Sequence, residues 1–266
     1  MADSRTYSAQ NVDAIIIGAG IMGCSIALAL TRKGYRTLNL DRLPAAGYGS
    51  TSSSAAIIRP YYSTLEGTAL AYEGHFYWQN WREFLGADAH TLLAHYVQCG
   101  CLVLMPPGSD RLASTRRVLG EAGVPFEVLG PEELRRVLPM LELQSFTPPK
   151  RIENADFGKP NAQPLEGAIA IAAGGYINDP QLACRNLQQA GGALGAQYRF
   201  NARVMRIDRA DGRVGGVTLE DGTRIAAPVV INAAGPHSAQ VNALAGVRSP
   251  EEIAAKRGKS LEDIVG

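Results

Sequence analysis

One stretch near the N-terminus constrains the fold more than any other: Ala14-Ile15-Ile16-Ile17-Gly18-Ala19-Gly20-Ile21-Met22-Gly23. A β-branched apolar run of strand length gives way to three glycines spaced G-x-G-x-x-G. Residues 12–17 are expected as a buried strand and residues 21–31 as a helix, with Ile21, Cys24 and Leu28 on its inner face and Gly34 as its stop. Residues 35–40 read as a second strand, closed by Asp41. Strand, glycine turn, helix, strand is a βαβ unit. In such a unit Gly18 permits the tight turn, Gly20 lets a pyrophosphate approach the backbone, and Gly23 lets the helix pack close to the sheet. Free N–H groups at the helix start, around Ile21 and Met22, then face the phosphates. A carboxylate at Asp41 accepts ribose hydroxyls and argues against a 2′-phosphate. The pattern predicts dinucleotide binding; by itself it does not choose between FAD and NAD.

The totals bound the alternatives. With 266 residues the chain has room for one large domain or two small ones. Apolar residues at 46% and charged ones at 19% fit a globular protein, and a net charge of +1 gives no global argument for nucleic acid. Arg135-Arg136 reads as a solvated helix face. Cys99-Gly100-Cys101 has no second pair near it, so no metal site is expected, and Cys24, Cys99, Cys101 and Cys184 read as buried free thiols of a reducing compartment. No run of about twenty apolar residues and no signal-peptide pattern stands in the sequence, so no membrane span is expected and the cytoplasm is the default location.

After Asp41, glycine, serine and threonine crowd residues 47–54 before the apolar 55–58. This reads either as a polar surface loop or as a second cofactor loop. Arg59, next to Pro60-Tyr61-Tyr62, is placed to hold an acid substrate's carboxylate or to act as a surface ion-pair partner. Residues 64–84 read as one aromatic-rich helix, 95–105 as a strand, 109–120 as a helix, 124–130 as a strand, and Pro131 as the opening of a further helix with Glu132 and Glu133 in its first turn. Gly174 to Pro180 reads as a turn and 180–190 as a helix ended by Gly191-Gly192. Asp211-Gly212 and Asp221-Gly222 mark two hairpins. Val229-Val230-Ile231-Asn232-Ala233-Ala234-Gly235 repeats the opening logic of buried strand followed by small residues, and a parallel strand there brings Ala234 and Gly235 to the same cofactor. The expected division is 1–84 and 166–247 as the two parts of a dinucleotide-binding domain, 85–165 as an inserted lobe, and 248–266 as a polar helical tail.

Four segments, "IIIGAGIMGCSIALALTRKGY", "STSSSAAIIRPYY", "GGYINDPQLACRNLQQA" and "VVINAAGPHSAQV", together resemble the FAD-dependent oxidoreductases of the D-amino acid oxidase and sarcosine oxidase family, from about residue 12 to residue 247. The resemblance implies an α/β fold: a Rossmann-like, glutathione-reductase-like FAD-binding domain carrying an inserted, incomplete α+β substrate lobe. It implies FAD rather than NAD, with ADP at Gly18, Gly20, Ile21, Met22 and Gly23, ribose at Asp41, and Arg42 beside it. The loop of Ser50, Ser52 and Ser53 runs under the pyrophosphate, Val204 meets the adenine through its backbone, and Ala233, Ala234 and Gly235 border the phosphate and ribityl region. It further implies oxidation of a C–N bond of a small amine, amino acid or N-methyl amino acid, with hydride passing to flavin N5. Arg59 matches the substrate side, and covalent flavin attachment is not expected because Ser53, Ser54 and Ala55 offer no histidine.

The family pattern continues beyond this chain's recognisable segments. After Val247 the sequence "RSPEEIAAKRGKSLEDIVG" resembles no family element, and Ser249-Pro250-Glu251-Glu252 reads as a helix start. The ADP half of the site is therefore expected to be complete and the isoalloxazine half open. Three expectations follow: a truncated product, a subunit whose protein partner completes the flavin site, or a minimal active oxidase. As functions, an amine-oxidising flavoenzyme stands first, against a noncatalytic flavin-binding subunit or remnant and an NAD-linked dehydrogenase.

Overall fold

In a computed structural model the described residues are 12–108, 111–161, 163–210 and 212–246. The chain runs β1 (Ala14–Ile17), α1 (Ile21–Arg32), β2 (Thr37–Leu40), β3 (Ile57–Ile58), α2 (Leu65–Gln79), α3 (Trp81–Leu85), β4 (Tyr96–Val97), β5 (Cys101–Met105), α4 (Arg111–Glu121), β6 (Glu127–Leu129) and α5 (Pro131–Val137). It continues through β7 (Gly167–Ile171), β8 (Gly175–Ile177), α6 (Pro180–Ala193), β9 (Gln197–Arg199), β10 (Val204–Ala210), β11 (Arg213–Leu219), β12 (Arg224–Ala226), β13 (Val229–Asn232), a 3-10 turn Gly235–His237, and α7 (Ser238–Leu244). Two compact units result: residues 1–55, 85–94 and 179–266 form one, and 56–84 and 95–178 the other. These bounds differ from the expected ones, because residues 167–178 pair with strands of the second unit.

The first unit is built on a parallel sheet of order β13-β1-β2-β9. β1 is central and buried on both faces, which is why its residues are continuously apolar. The period of two splits them. Ile15 and Ile17 pack with Leu38, Leu40, Val217 and Leu219, toward the antiparallel sheet β10-β11-β12. Ile16 packs on the opposite side with Ala27 and Ala196. Asn39 is buried in the middle of β2, where its Nδ2 donates to the Gly23 carbonyl at 3.0 Å, tying the first turn of α1 to the sheet.

The second unit holds two three-stranded antiparallel sheets, β3-β8-β4 and β5-β7-β6. Its core gathers Met105, Leu119, Val124, Ile169 and Ile171. Several expectations need correction here. The single helix over 64–84 is two: Thr64 caps α2 by accepting from the Gly67 N–H at 3.2 Å, and Asn80 interrupts before α3. The strand over 95–105 is broken by Gly100 at φ +74°, a left-handed conformation that favours glycine. Gly175–Ile177 is a strand, not a turn, and Gly175 lies against the Val97 carbonyl with no room for a Cβ. In the first unit, α6 runs through Gly191-Gly192 to Ala193, since Gly191 packs beneath Tyr198 and Leu28 instead of ending the helix. The reading of Ser249-Pro250-Glu251-Glu252 as a helix start lies outside the described residues.

Candidate functional site

A cleft of about 300 Å³ opens in the first unit at the carboxyl ends of β13, β1 and β2. Open α/β sheets place their ligands at this edge. Gly18 sits at its floor with φ +111°, and an added Cβ would overlap the Ala233 carbonyl. The turn after β1 and the turn after β13 are thus in backbone contact, with Ala233 N–H donating to Ile17 O at 2.8 Å. Gly23 is buried, and a Cβ there would overlap the Gly18 carbonyl, so this glycine lets α1 rise directly off the turn. Gly20 has ordinary dihedrals (φ −77°, ψ −175°) and meets only the Thr51 hydroxyl, at 3.2 Å, so its missing side chain keeps the cleft open.

Asp41 ties this turn to β2. Its Oδ2 accepts the Ala19 N–H at 2.7 Å and its Oδ1 the Leu43 N–H at 2.9 Å. A carboxylate has about four acceptor positions, so two remain for a hydroxylated ligand. At the start of α1, Ile21 N–H donates to Thr51 Oγ1 at 3.1 Å. The N–H groups of Gly20, Met22 and Gly23 have no partner among the described residues. Unpaired donors at a helix start, where the dipole favours negative charge, form an anion cradle.

Of the residues singled out in the sequence, Gly18, Gly20, Asp41, Arg42, Ser50, Val204, Ala233, Ala234 and Gly235 line this one cleft. Ile21, Met22, Gly23, Ser52 and Ser53 do not line it. Met22 is 65% exposed, and Ser52 turns its hydroxyl to the Gly49 carbonyl at 3.0 Å. Arg59 lies in the second unit, exposed, with its guanidinium over the rings of Tyr61 and Tyr62 at 4.8 and 5.1 Å.

Sequence reasoning missed several members. Thr51 is one, hidden among the serines of its loop. His237 is another; it lines the cleft and its Nε2 is 2.8 Å from the Arg42 guanidinium. Asn232 is a third: its Nδ2 donates to Ser238 O at 2.9 Å and to Asn242 Oδ1 at 2.7 Å, while its Oδ1 accepts the Ala234 N–H at 3.2 Å, fixing the turn over Gly18. The sequence signal was present, since Asn232 ends the apolar run of β13.

Behind the cleft lie Cys24 and Cys184, both fully buried, with sulfurs 3.6 Å apart and both directed at the Ala19 carbonyl. The hydrogen bond from the Cys184 thiol, together with burial, pushes the Cys24 thiol up in pKa. These two match the expected buried thiols. Cys99 is exposed and Cys101 half-buried, a correction that follows from their place beside the break at Gly100. Among the described residues no helix is long and apolar enough to cross a membrane.

The parallel sheet, the glycine turn under a helix start and the carboxylate at the end of β2 define a dinucleotide-binding α/β protein. The family of FAD dependent oxidoreductases, DAO, matches residues 13–262, and the chain belongs to this family. The match passes residue 247, so most of the segment expected to lie outside the family falls within it; that stretch is polar and carries no apolar strand-like run of the kind that marks β1 and β13. Human mitochondrial sarcosine dehydrogenase is 28% identical over 252 residues, covering 91% of this chain and 24% of that one. The mouse mitochondrial pyruvate dehydrogenase phosphatase regulatory subunit is 25% identical over 225 residues, covering 83% and 22%. L-proline dehydrogenase from P. horikoshii shares the fold with a TM-score of 0.71 at 20% identity, covering 91% of this chain and 57% of that one. The chain thus spans about a quarter of the length of these curated relatives. Its fold is the Rossmann-like FAD-binding type with a mixed α/β lobe.

Proposed function

We propose that the cleft of the first unit holds FAD and that the protein serves the oxidation of a C–N bond in a small amine or amino acid, of the sarcosine type. The observation that carries this reading is the cleft itself: Gly20, with its unpaired N–H at the start of α1, lines it, Asp41 lines it with spare acceptor positions, and the glycine floor admits backbone approach. The donor set fits a diphosphate and a ribose. Gly20 would hold a phosphate oxygen at the start of α1, Asp41 the adenosine ribose, and the backbone at Val204 the adenine. FAD, when bound, supplies the two-electron acceptor for the bond being oxidised. Arg59 offers a guanidinium for a substrate carboxylate; it is exposed and makes no ion pair among the described residues. The name of the sarcosine dehydrogenase relative supports an N-methyl amino acid as donor. The test is anaerobic addition of sarcosine, glycine and proline to the flavin-loaded protein. Bleaching of the long-wavelength flavin bands by one of them supports the reading, and full retention of the bands with all small amines refutes it.

A second reading has its own support: the relative named as a regulatory subunit. On that reading the protein binds flavin and depends on a protein partner to complete the ring's surroundings. Bound flavin that no amine bleaches, with bleaching restored by a co-purifying partner, selects it. A cytoplasmic location, proposed from the sequence, is checked by fractionation of the native source.

A further inference from the structure

Ala19 stands between two glycines that line the cleft, yet it is itself buried and does not line it. Its carbonyl oxygen turns away from the cleft and gathers three donors. The Gly47 N–H donates at 2.9 Å, and the thiols of Cys24 and Cys184 approach at 3.5 and 3.4 Å. Cys24 comes from α1 and Cys184 from α6, 160 positions later, and both are fully buried. A carbonyl oxygen has two lone pairs. The Gly47 N–H takes one and a thiol the other, and the sulfurs lie 3.6 Å apart, so the remaining S–H is shared between the two cysteines. The contact with Cys184, and then burial, push the Cys24 thiol up in pKa, so it keeps the proton it donates. The loop that brings Gly47 is fitted to the same pair: a Cβ on Gly47 would lie 3.1 Å from the Cys184 Cβ.

The peptide plane carries this orientation to the next residue. The Ala19 carbonyl and the Gly20 N–H belong to one planar trans unit, so they point in opposite directions. The oxygen is held on the side of the two sulfurs, neither of which lines the cleft, and the Gly20 N–H is therefore turned toward the cleft. That N–H has no partner among the described residues. The other side of Ala19 is held as well, since its N–H donates to Asp41 Oδ2 at 2.7 Å. Neither cysteine touches the space a ligand would fill. Both act on it through the tilt of one peptide group.

We propose that Cys24 and Cys184 are positioning residues for the dinucleotide: their thiols hold the Ala19 carbonyl back from the cleft, and this fixes the Gly20 N–H as a preset donor to a phosphate oxygen. The role has meaning only where the cleft takes a diphosphate, and so rests on the FAD reading above.

The test compares ADP with adenosine, each displacing FAD from the cleft and followed by flavin fluorescence. The ratio of the two affinities isolates the phosphates, because a general loosening of the site weakens both ligands alike. In the double variant Cys24→Ala with Cys184→Ala the thiol donors are gone, and the ratio should fall by about threefold to tenfold, the worth of one net hydrogen bond. Cys24→Ser with Cys184→Ser supplies hydroxyl donors in their place and should recover most of that loss. Urea unfolding confirms that each variant is folded. Where the alanine pair does not fold, Cys24→Val with Cys184→Ala, which also lacks both donors but nearly conserves the total volume, is measured instead. A ratio unchanged without either thiol, or an equal fall in the serine and donor-free pairs, overturns the positioning role alone. Failure of every protein, wild type included, to bind FAD overturns it together with the reading on which it rests.

Discussion

Gly20 and Gly23 belong to the same motif, yet an added methyl group meets different surroundings at each. At Gly23 the Cβ would overlap the carbonyl oxygen of Gly18 and lie 2.9 Å from its carbon. Those are backbone atoms of a turn pinned by Asp41 and by β13, so they cannot shift cheaply. Overpacking of this kind costs about 3 kcal/mol, and the better helix propensity of alanine returns about 1 kcal/mol. Gly23→Ala should therefore lose about 2 kcal/mol of stability, roughly a thirtyfold shift toward the unfolded chain. At Gly20 the dihedrals suit any residue and the nearest atom is a side-chain hydroxyl at 3.2 Å. Gly20→Ala should cost only about 0.5–1 kcal/mol, the loss expected for alanine at a helix N-cap. Its methyl group instead projects where phosphate oxygens would sit, and FAD affinity should fall more than about tenfold, a change of about 1.4 kcal/mol. Urea unfolding of the flavin-free variants measures the first quantity, and fluorescence titration with FAD the second. Equal stability losses in the two variants, or a Gly20→Ala protein with unchanged FAD affinity, would refute the division of labour derived for this turn.

Other perturbations have equally definite outcomes. Asp41→Ala removes the acceptor of the Ala19 and Leu43 N–H groups, and should cost about 1–3 kcal/mol in urea unfolding as well as weakening FAD binding; Asp41→Asn, which keeps one acceptor oxygen, should lie between it and the wild type. His75 is buried in α2, its Nδ1 2.9 Å from the Tyr96 hydroxyl, and burial lowers its pKa below the usual 6.5. The unfolded chain therefore binds the extra proton first, so stability should be full above pH 6.5 and decline as the pH falls below it. The decline between pH 7 and 5 should be smaller in His75→Gln, as read by the urea midpoint. Among the thiols, Cys99 should react with an aromatic disulfide reagent in the native protein, whereas Cys24 and Cys184 should react only after unfolding; native labelling of Cys24 would contradict their packing.

Much of the first unit was legible in the sequence because its signals are local. β1, α1 and β2 each announce themselves within a few residues, and "VVINAAG" repeats the pattern for β13, so a parallel strand beside β1 could be expected, though not its register of Ile15 with Val230. The hairpin at Gly212 and the proline start of α5 were local for the same reason. What escaped notice depended on distant partners. Gly175 and Gly191 carry the residue type that usually breaks structure, but each is small because another segment packs against it. The Arg42–His237 pair joins residues far apart in the chain, and neither residue alone signals the other. Asn39 has its role only through α1, whose Gly23 carbonyl accepts its amide N–H. Arg59 shows the limit from the other side: a residue type suited to a carboxylate, in a second unit whose own contacts explain only its position over two tyrosine rings.

The central claim is that the first unit holds FAD in the cleft over Gly18. The most direct measurement is titration of the flavin-free protein with FAD, followed by fluorescence quenching and the visible absorption spectrum, with NAD and Asp41→Ala run alongside. The account predicts saturable uptake of one FAD per chain, a structured flavin spectrum, no competition by NAD, and weakened binding in Asp41→Ala. A folded protein that takes up no FAD, or that binds FAD equally well without the Asp41 carboxylate, contradicts it.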